Sequence, residues 1–298
     1  MSKTSKKNIN WVIDEFTTID LIPKILPSSV KGSQTEIFVE ENNQKHSYRS
    51  SVTENDELGR PVNLKNFDRD GKLTEEYRYY YQDNIQKIEL YELGKKSCIW
   101  ENEYNEKDLL IRSVYSELPD NSKDVDSYEY DKDGRLLSIS METHNVEEEE
   151  PVVGYELEWE NDQLISISEI YGEEEEASFE FEYNEKNQVK SVKKYANLVD
   201  EDDEDVEELI EEQKPVYDAQ GRLVENSLIY HENSAKLVIS YEYEGDSVLA
   251  TKTSHKEFEG AKLVRKIEFI EDHSGNLLKS TEEIYNQKRK KIEIFSYH

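Results

Sequence analysis

One phrase recurs along this chain: an aromatic residue, then Asp or Asn, two polar residues, Gly, a basic residue and Leu. It reads Phe67-Asp68-Arg69-Asp70-Gly71-Lys72-Leu73, then Tyr130-Asp131-Lys132-Asp133-Gly134-Arg135-Leu136, then Tyr217-Asp218-Ala219-Gln220-Gly221-Arg222-Leu223. Looser copies keep the leading aromatic at Tyr81, Tyr104, Trp159, Tyr183 and Tyr243. A period of about 25 residues marks a repeat architecture, in which each unit is one supersecondary element that buries its apolar face only against its neighbours.

Asp at the first turn position and Gly at the fourth meet the demands of a type I turn: the carboxylate accepts from the backbone just ahead, and Gly takes a left-handed conformation that a Cβ disfavours. The same chemistry stands at Asp56 to Gly59 and at Asp272 to Gly275, with Asn187 in place of Gly in the Asn184 copy. Shorter connections at Asp83-Asn84, Asn161-Asp162 and Gly245-Asp246 suit two-residue hairpins. The segments ahead of the turns alternate strictly, as in Phe179-Glu180-Phe181-Glu182-Tyr183 and Tyr155-Glu156-Leu157-Glu158-Trp159, with one aromatic face and one acidic face. The return segments, Leu136 to Met141 and Leu164 to Ile170, read as strands whose inner face the pattern leaves open. The expected fold is an all-β antiparallel β-hairpin repeat array of about eighteen to twenty strands. Twist must curl such a sheet into a shell, a superhelix or a barrel-like form. The twenty tyrosines are expected to serve as sheet core and cross-strand partners.

The Tyr-Asp, Gly-Arg-Leu string resembles the YD repeat of the Rhs-type proteins, over most of the chain from about Val52 to Tyr285. That resemblance implies a β-meander winding into a curved sheet, in a family that includes polymorphic toxins and cell-surface proteins. The Asp-Pro-Xaa-Gly self-cleavage string of the large toxin members is absent, so the shell is expected to hold no toxin cargo.

Charged residues make up 35% of the chain and apolar residues another 35%, a balance that would favour disorder if the apolar residues were not so regularly spaced. We read residues 35–298 as one β-repeat domain and residues 1–34 as an N-terminal cap segment. Trp11, Val12, Phe16 and Ile19 fall on one face of a short helix ahead of Pro23, set to cover the first strand, Thr35 to Glu40. Asp14, Glu15, Asp20, Pro23 and Lys24 interrupt this stretch, which argues against a signal-peptide core and a membrane span and makes a cytoplasmic location the expectation. One cysteine, Cys98, permits no intramolecular disulfide and reads as a buried residue beside Trp100.

The net charge is −31, and its placement is more informative than its size. The runs are Glu147, Glu148, Glu149 and Glu150; Glu173, Glu174, Glu175 and Glu176; and Asp200, Glu201, Asp202, Asp203, Glu204 and Asp205, which continues to Glu212. Each is expected in a connection after a return strand, so that tight Asp-Gly turns line one edge of the meander and acidic loops the other. Adjacent repeats would set these loops about 10 Å apart, near one Debye length. The plain reading is that they keep a tyrosine-rich sheet soluble and guard its edges. Their clustering suits a basic protein partner. Nucleic acid and anionic membrane are disfavoured, because only Lys288 to Lys291 offers a basic patch.

Asp-Xaa-Asp-Gly at Asp68 and Asp131 fails as a calcium loop, since Tyr77 and Ser140 occupy the position that needs a bidentate carboxylate. The six histidines show no zinc spacing, and neither a nucleophile elbow nor a phosphate-binding glycine loop is present. Neither a metal, a cofactor nor a catalytic residue is assigned. The leading expectation is a non-enzymatic acidic protein-binding repeat protein, whose most specific form is an immunity protein neutralising a basic toxin domain. The alternatives are a carbohydrate- or peptide-binding module that uses the aromatic face, and a cargo-less component of a YD-repeat toxin or secretion system.

Overall fold

The computed structural model describes residues 31–297 apart from 42–43, 119–121, 145–152, 173, 200–204, 273–275, 286 and 288. Among them are twenty strands: β1 (Gly32–Glu41), β2 (Gln44–Asn55), β3 (Pro61–Phe67), β4 (Leu73–Gln82), β5 (Ile85–Glu92), β6 (Lys95–Tyr104), β7 (Leu110–Glu117), β8 (Ser122–Tyr130), β9 (Leu136–His144) and β10 (Val153–Glu160). The second half continues with β11 (Gln163–Tyr171), β12 (Glu174–Tyr183), β13 (Val189–Val199), β14 (Asp205–Tyr217), β15 (Leu223–Tyr230), β16 (Ala235–Glu242), β17 (Lys252–Glu259), β18 (Lys262–Glu271), β19 (Leu277–Ile284) and β20 (Arg289–Tyr297). Every strand pairs antiparallel with the next, and β20 pairs with β1 along Ser33↔Tyr297 to Glu41↔Arg289. The meander is therefore a closed barrel. The first strand begins at Gly32, three residues before the expected Thr35, and its outer edge is taken up by β20 rather than by a cap. The cap segment itself lies outside the described residues.

The repeated phrase works as a relay between neighbouring hairpins. In the β14–β15 turn, Asp218 Oδ1 accepts from Gln220 N and Arg222 N at 2.9 Å each, while Gly221 takes φ +81°. Arg222 then donates Nε to Asp218 Oδ2 at 2.7 Å and lies 4.5 Å from the ring centre of Tyr243, at the end of the next hairpin. Tyr243 in turn donates its hydroxyl to the carbonyl of Leu223, the last residue of the phrase, at 2.7 Å. The same relay runs through Arg135, Trp159 and the Leu136 carbonyl, and through Arg60, Tyr81 and the Pro61 carbonyl. The acid of the phrase thus shapes the turn, the arginine clamps the following hairpin, and the aromatic ties back to the strand before it.

A β-bulge accompanies these turns. At the end of β2, β6, β8, β10, β12, β14 and β18 the register shifts by one, leaving one residue near the start of the return strand unpaired, the second in each case except β11, where it is the third. Bulges bend and twist a sheet, which a closed antiparallel barrel requires.

The two faces differ sharply. The inward face carries the buried cluster of Leu110, Tyr128, Leu136, Ile139, Leu157, Leu164, Ile167, Phe179, Phe181, Val189 and Val192, against which Tyr104, Tyr130, Met141, Tyr155, Trp159 and Tyr183 pack. The outward face is charged and cross-linked by ion pairs such as Lys96 to Glu89 at 2.7 Å, Lys190 to Glu182 at 2.9 Å and Lys290 to Glu283 at 2.6 Å. Burial alone would raise the Glu89 carboxyl, but hydrogen bonds from Lys96, Tyr91 and Lys87 outweigh it and hold the group down to about 2. Twenty strands spaced about 4.8 Å apart give a girth of about 96 Å, and inward side chains such as Leu164, Ile167, Val189 and Val192 are fully buried.

Candidate binding rim and lumen mouth

Two rims follow from the topology. The turns after even-numbered strands, including those at Asp56, Asp131, Asn184 and Asp218, form the turn rim; the connections after odd-numbered strands form the far rim. The turn at Asp68 joins β3 to β4 and so lies on the far rim, contrary to the expectation that all three close copies share one edge. The expected separation of tight turns from long loops also fails in detail. Leu93-Gly94 makes a tight hairpin on the far rim, and the supposed two-residue turn at Gly245-Asp246 is part of a connection from residue 243 to 251.

The acidic runs do belong to far-rim hairpins, those of β9–β10, β11–β12 and β13–β14. Glu147, Glu148, Glu149, Glu150, Glu173, Asp200, Glu201, Asp202, Asp203 and Glu204 lie outside the described residues. Glu174, Glu175 and Glu176 are exposed, yet they form the start of β12 rather than a loop. Asp205 opens β14, which carries the run inward through Glu207, Glu208, Glu211 and Glu212. Acidic residues therefore extend two strands that flank β13, whose Asn197 Nδ2 donates to the Glu175 carbonyl at 2.8 Å. Strand pairing continues close to the rim, through Leu198↔Val206 and Val199↔Asp205.

A second constellation, which the sequence reading did not single out, lies just inside the far rim on the inward face of β4 to β8. Tyr77, Trp100 and Tyr115 form a run of rings, with centroids 6.4 Å apart for Tyr77–Trp100 and 5.0 Å for Trp100–Tyr115. All three are half-buried. Nearer the mouth stand Glu75, directly opposite Glu92, and Glu117, opposite Cys98, while Asp124 lies level with the rings, opposite Tyr115. Glu75 accepts from Asn66 Nδ2 at 2.8 Å. Lys95 stands directly opposite Glu92 on the same face. Burial, with Asp124 adding to it, raises the Asp126 carboxyl above its ordinary range despite a hydrogen bond from Tyr128. Burial, then Glu75 and Glu92, raises the Tyr77 phenol.

Deeper in the bore, Ser113 Oγ donates to Asn102 Oδ1 at 2.8 Å, and Asn102 Nδ2 donates to Gln86 Oε1 at 3.1 Å. This buried ladder fixes β5, β6 and β7 in register beneath the rings. Cys98 is buried with its Sγ 3.1 Å from the Tyr115 hydroxyl. Elsewhere on the inward face ion pairs form: Arg265 bridges Glu257 at 2.9 Å and Glu282 at 2.7 Å, Lys291 meets Glu293 at 3.0 Å, and Lys194 meets Glu169 at 3.2 Å. The β4 to β8 sector brings carboxylates and aromatic rings together, with Lys95 directly opposite Glu92 at its edge. Its signal was present in the strict alternation Glu75, Tyr77, Tyr79, Tyr81, which puts one acid on the aromatic face.

No family model matches the chain, and neither does any curated protein. Among solved structures, a porin-like protein from Bacteroides uniformis is similar at 8% identity over 92% of this chain and 99% of that one, with a TM-score of 0.40. A DUF1329 family protein from Desulfovibrio piger is similar at 8% identity over 99% of this chain and 92% of that one, with a TM-score of 0.26. The Photorhabdus luminescens Tc holotoxin pore aligns at 10% identity over 86% of this chain and 18% of that one, with a TM-score of 0.20. None of these likenesses speaks to function.

Proposed function

We propose that this barrel is a non-enzymatic binding protein of the cytoplasm that engages a basic protein through its far rim, with neutralisation of a cationic toxin domain as the most specific form. The observation that carries the reading is topological: the far-rim hairpins β9–β10, β11–β12 and β13–β14, in whose sequences the acidic runs fall, follow one another around the barrel at intervals of about 10 Å. Their potentials add, speed the encounter with a cationic surface, and can occupy a site where a nuclease would hold phosphate. The YD-repeat resemblance gives this a context in toxin systems, either as a partner of the toxin or as a cargo-less component of its apparatus. Charged side chains on the outward face, such as Glu76, Arg78, Glu89 and Lys193, weigh against insertion in lipid, where an Arg or Lys at mid-depth costs about 2 to 4 kcal/mol.

Recasting the acids of Asp200 to Glu212 as Asn and Gln tests the reading. Association with the basic partner should slow by about tenfold or more at low salt and lose most of its salt dependence. The melting temperature should stay equal or rise. Unchanged affinity would reduce the rim to a solubility device. The aromatic mouth would then favour the carbohydrate- or peptide-binding alternative, for which salt-insensitive binding is the mark.

A further inference from the structure

We infer that a groove on the outer wall, where β20 closes onto β1, is the seat of the chain's own N-terminal segment, residues 9–22. The groove has a volume of about 600 Å³ and a floor of Phe38, Ile292 and Ile294. Phe38 stands directly opposite Ile292, and Ile294 follows one alternation along β20, so the three make one apolar strip on the outward face. Phe38 and Ile294 are exposed. β20 thereby inverts the order of the barrel: its isoleucines face out, while Lys291 and Glu293 face in and pair with each other at 3.0 Å. β1 is apolar on both sides, with Ile37 and Val39 buried within and Phe38 outside. A contiguous apolar strip on an outer wall otherwise held by ion pairs marks a surface that something covers.

Charge and reach identify the occupant. Lys45, Lys279 and Lys290 border the strip and Glu40 is the one acid among its lining residues, in a chain with 68 acidic side chains against 37 basic ones. Lys45 and Lys290 are shared with Glu40 and Glu283, at 3.5 and 2.6 Å, whereas Lys279 stands opposite Ile294 and Ile270. The groove therefore suits a segment that is apolar and acidic at once. Residues 9–22, which lie outside the described residues, have that composition: Trp11, Val12, Phe16 and Ile19 are interspersed with Asp14, Glu15 and Asp20, and no lysine or arginine falls among them. The tether is long enough. Phe38 lies six residues into β1 from Gly32, about 20 Å, and the nine residues from 23 to 31 extend to about 30 Å. A tether of that length holds the segment near the groove at an effective concentration in the millimolar range, well above that of a second molecule in dilute solution. β1 needs no cap along its edge, which β20 occupies; it is the outward face of the seam that the segment covers.

The test places cysteines in the full chain with Cys98→Ser as background. Thr18→Cys is combined with Ser47→Cys, at an exposed position that lines the groove opposite Phe38, or with Lys256→Cys, on the outward face three strands away from β20. Under mild oxidation at micromolar protein, the 18–47 disulfide should form within one chain about tenfold or more faster than the 18–256 disulfide, read by non-reducing gels and peptide mass spectrometry. That preference should disappear in Phe38→Ser/Ile294→Ser, and equally in Trp11→Ser/Phe16→Ser, which leaves the barrel untouched. Equal rates at 47 and 256 would overturn the inference. So would an 18–47 disulfide that links two chains, which would assign the groove to a second copy, or a preference that survives both apolar variants. The far-rim reading rests on hairpins β9 to β14, so its test with the amide variants of 200 to 212 succeeds or fails separately from this one.

Discussion

Substituting alanine for two turn glycines separates backbone strain from crowding, and the structure sets the order of the effects. Gly71 holds φ +76°, and a Cβ built on it meets nothing within 4 Å. Gly71→Ala therefore reports the cost of a left-handed backbone alone, about 1 to 2 kcal/mol. Gly221 holds φ +81°, but its Cβ would lie 3.2 Å from Nε2 of Gln188, a buried side chain that donates to the Gly221 carbonyl at 3.2 Å. Gly221→Ala thus carries the same strain and also displaces Gln188, forfeiting a hydrogen bond worth about 1 kcal/mol and bringing the total to about 2 to 3 kcal/mol. At about 2 °C per kcal/mol for a chain of this size, the melting temperatures should fall by about 2 to 4 °C and about 4 to 6 °C respectively. The natural Asn187, at φ +58° in the equivalent place, supplies a control: Asn187→Gly should be neutral or stabilising. The readout is thermal melting followed by circular dichroism. Equal losses at Gly71 and Gly221 would refute the crowding argument, and no loss at Gly71 would refute the turn assignment itself.

The tie from aromatic to carbonyl can be tested by comparing two tyrosines. Tyr243→Phe removes a 2.7 Å bond to the Leu223 carbonyl and should cost about 1 kcal/mol, whereas Tyr217→Phe removes a buried hydroxyl that has no partner and should be neutral or stabilising; equal losses in denaturant titrations would contradict this. Arg222→Lys cannot keep both the Nε bond to Asp218 and the Nη1 bonds to the Gly245 and Ser247 carbonyls, at 2.8 and 3.0 Å, so a loss of about 1 to 2 kcal/mol is expected in the same titrations. Asp126→Asn addresses pH. The folded-state value of Asp126 is raised above the unfolded value of about 3.9, so ionisation costs the native state nothing below that pH and its full penalty above the folded value. Asn should therefore stabilise at pH 7 and give no advantage at pH 3; an advantage independent of pH would rule out ionisation as the cause.

Much of this architecture was legible in the sequence because turn chemistry is local. Asp131, Asp218, Asp56 and Asn184 shape the turns that their spacing implies, and the acids and aromatics alternate onto opposite faces of β10 and β12. The return strands were harder to read for a reason the bulges supply. Leu136 and Ile139 are both buried, as are Leu164 with Ile167 and Val189 with Val192, and each pair is three residues apart. One bulged residue shifts the phase, so no strict period-2 pattern survives across it. The rim assignment of Asp68 was lost because one extra turn, at Asp56, precedes it by a single strand. Closure through β1 and β20 is a contact between the two ends of the meander, and no local pattern announces it. The ring strip at Tyr77, Trp100 and Tyr115 is hidden for a related reason, since its members come together only through the registers of β4 to β7.

Closure also changes what the acidic residues have to account for. In an open array, charges at the ends would serve to keep unpaired strands from joining another molecule. Here β1 is paired on both sides, with β2 and with β20, so the sheet has no free edge to defend. The outward face already carries matched lysines and glutamates that keep it wetted, as at Glu182 with Lys190 and Lys193. A surplus of negative charge beyond that matching costs native stability through self-repulsion. On the far rim the surplus is concentrated where strands β12 and β14 approach their shared neighbour β13. Edge protection cannot account for that arrangement, and solubility would be served as well by charge spread over both rims. A basic surface brought to the far rim, as proposed above, would relieve that self-repulsion.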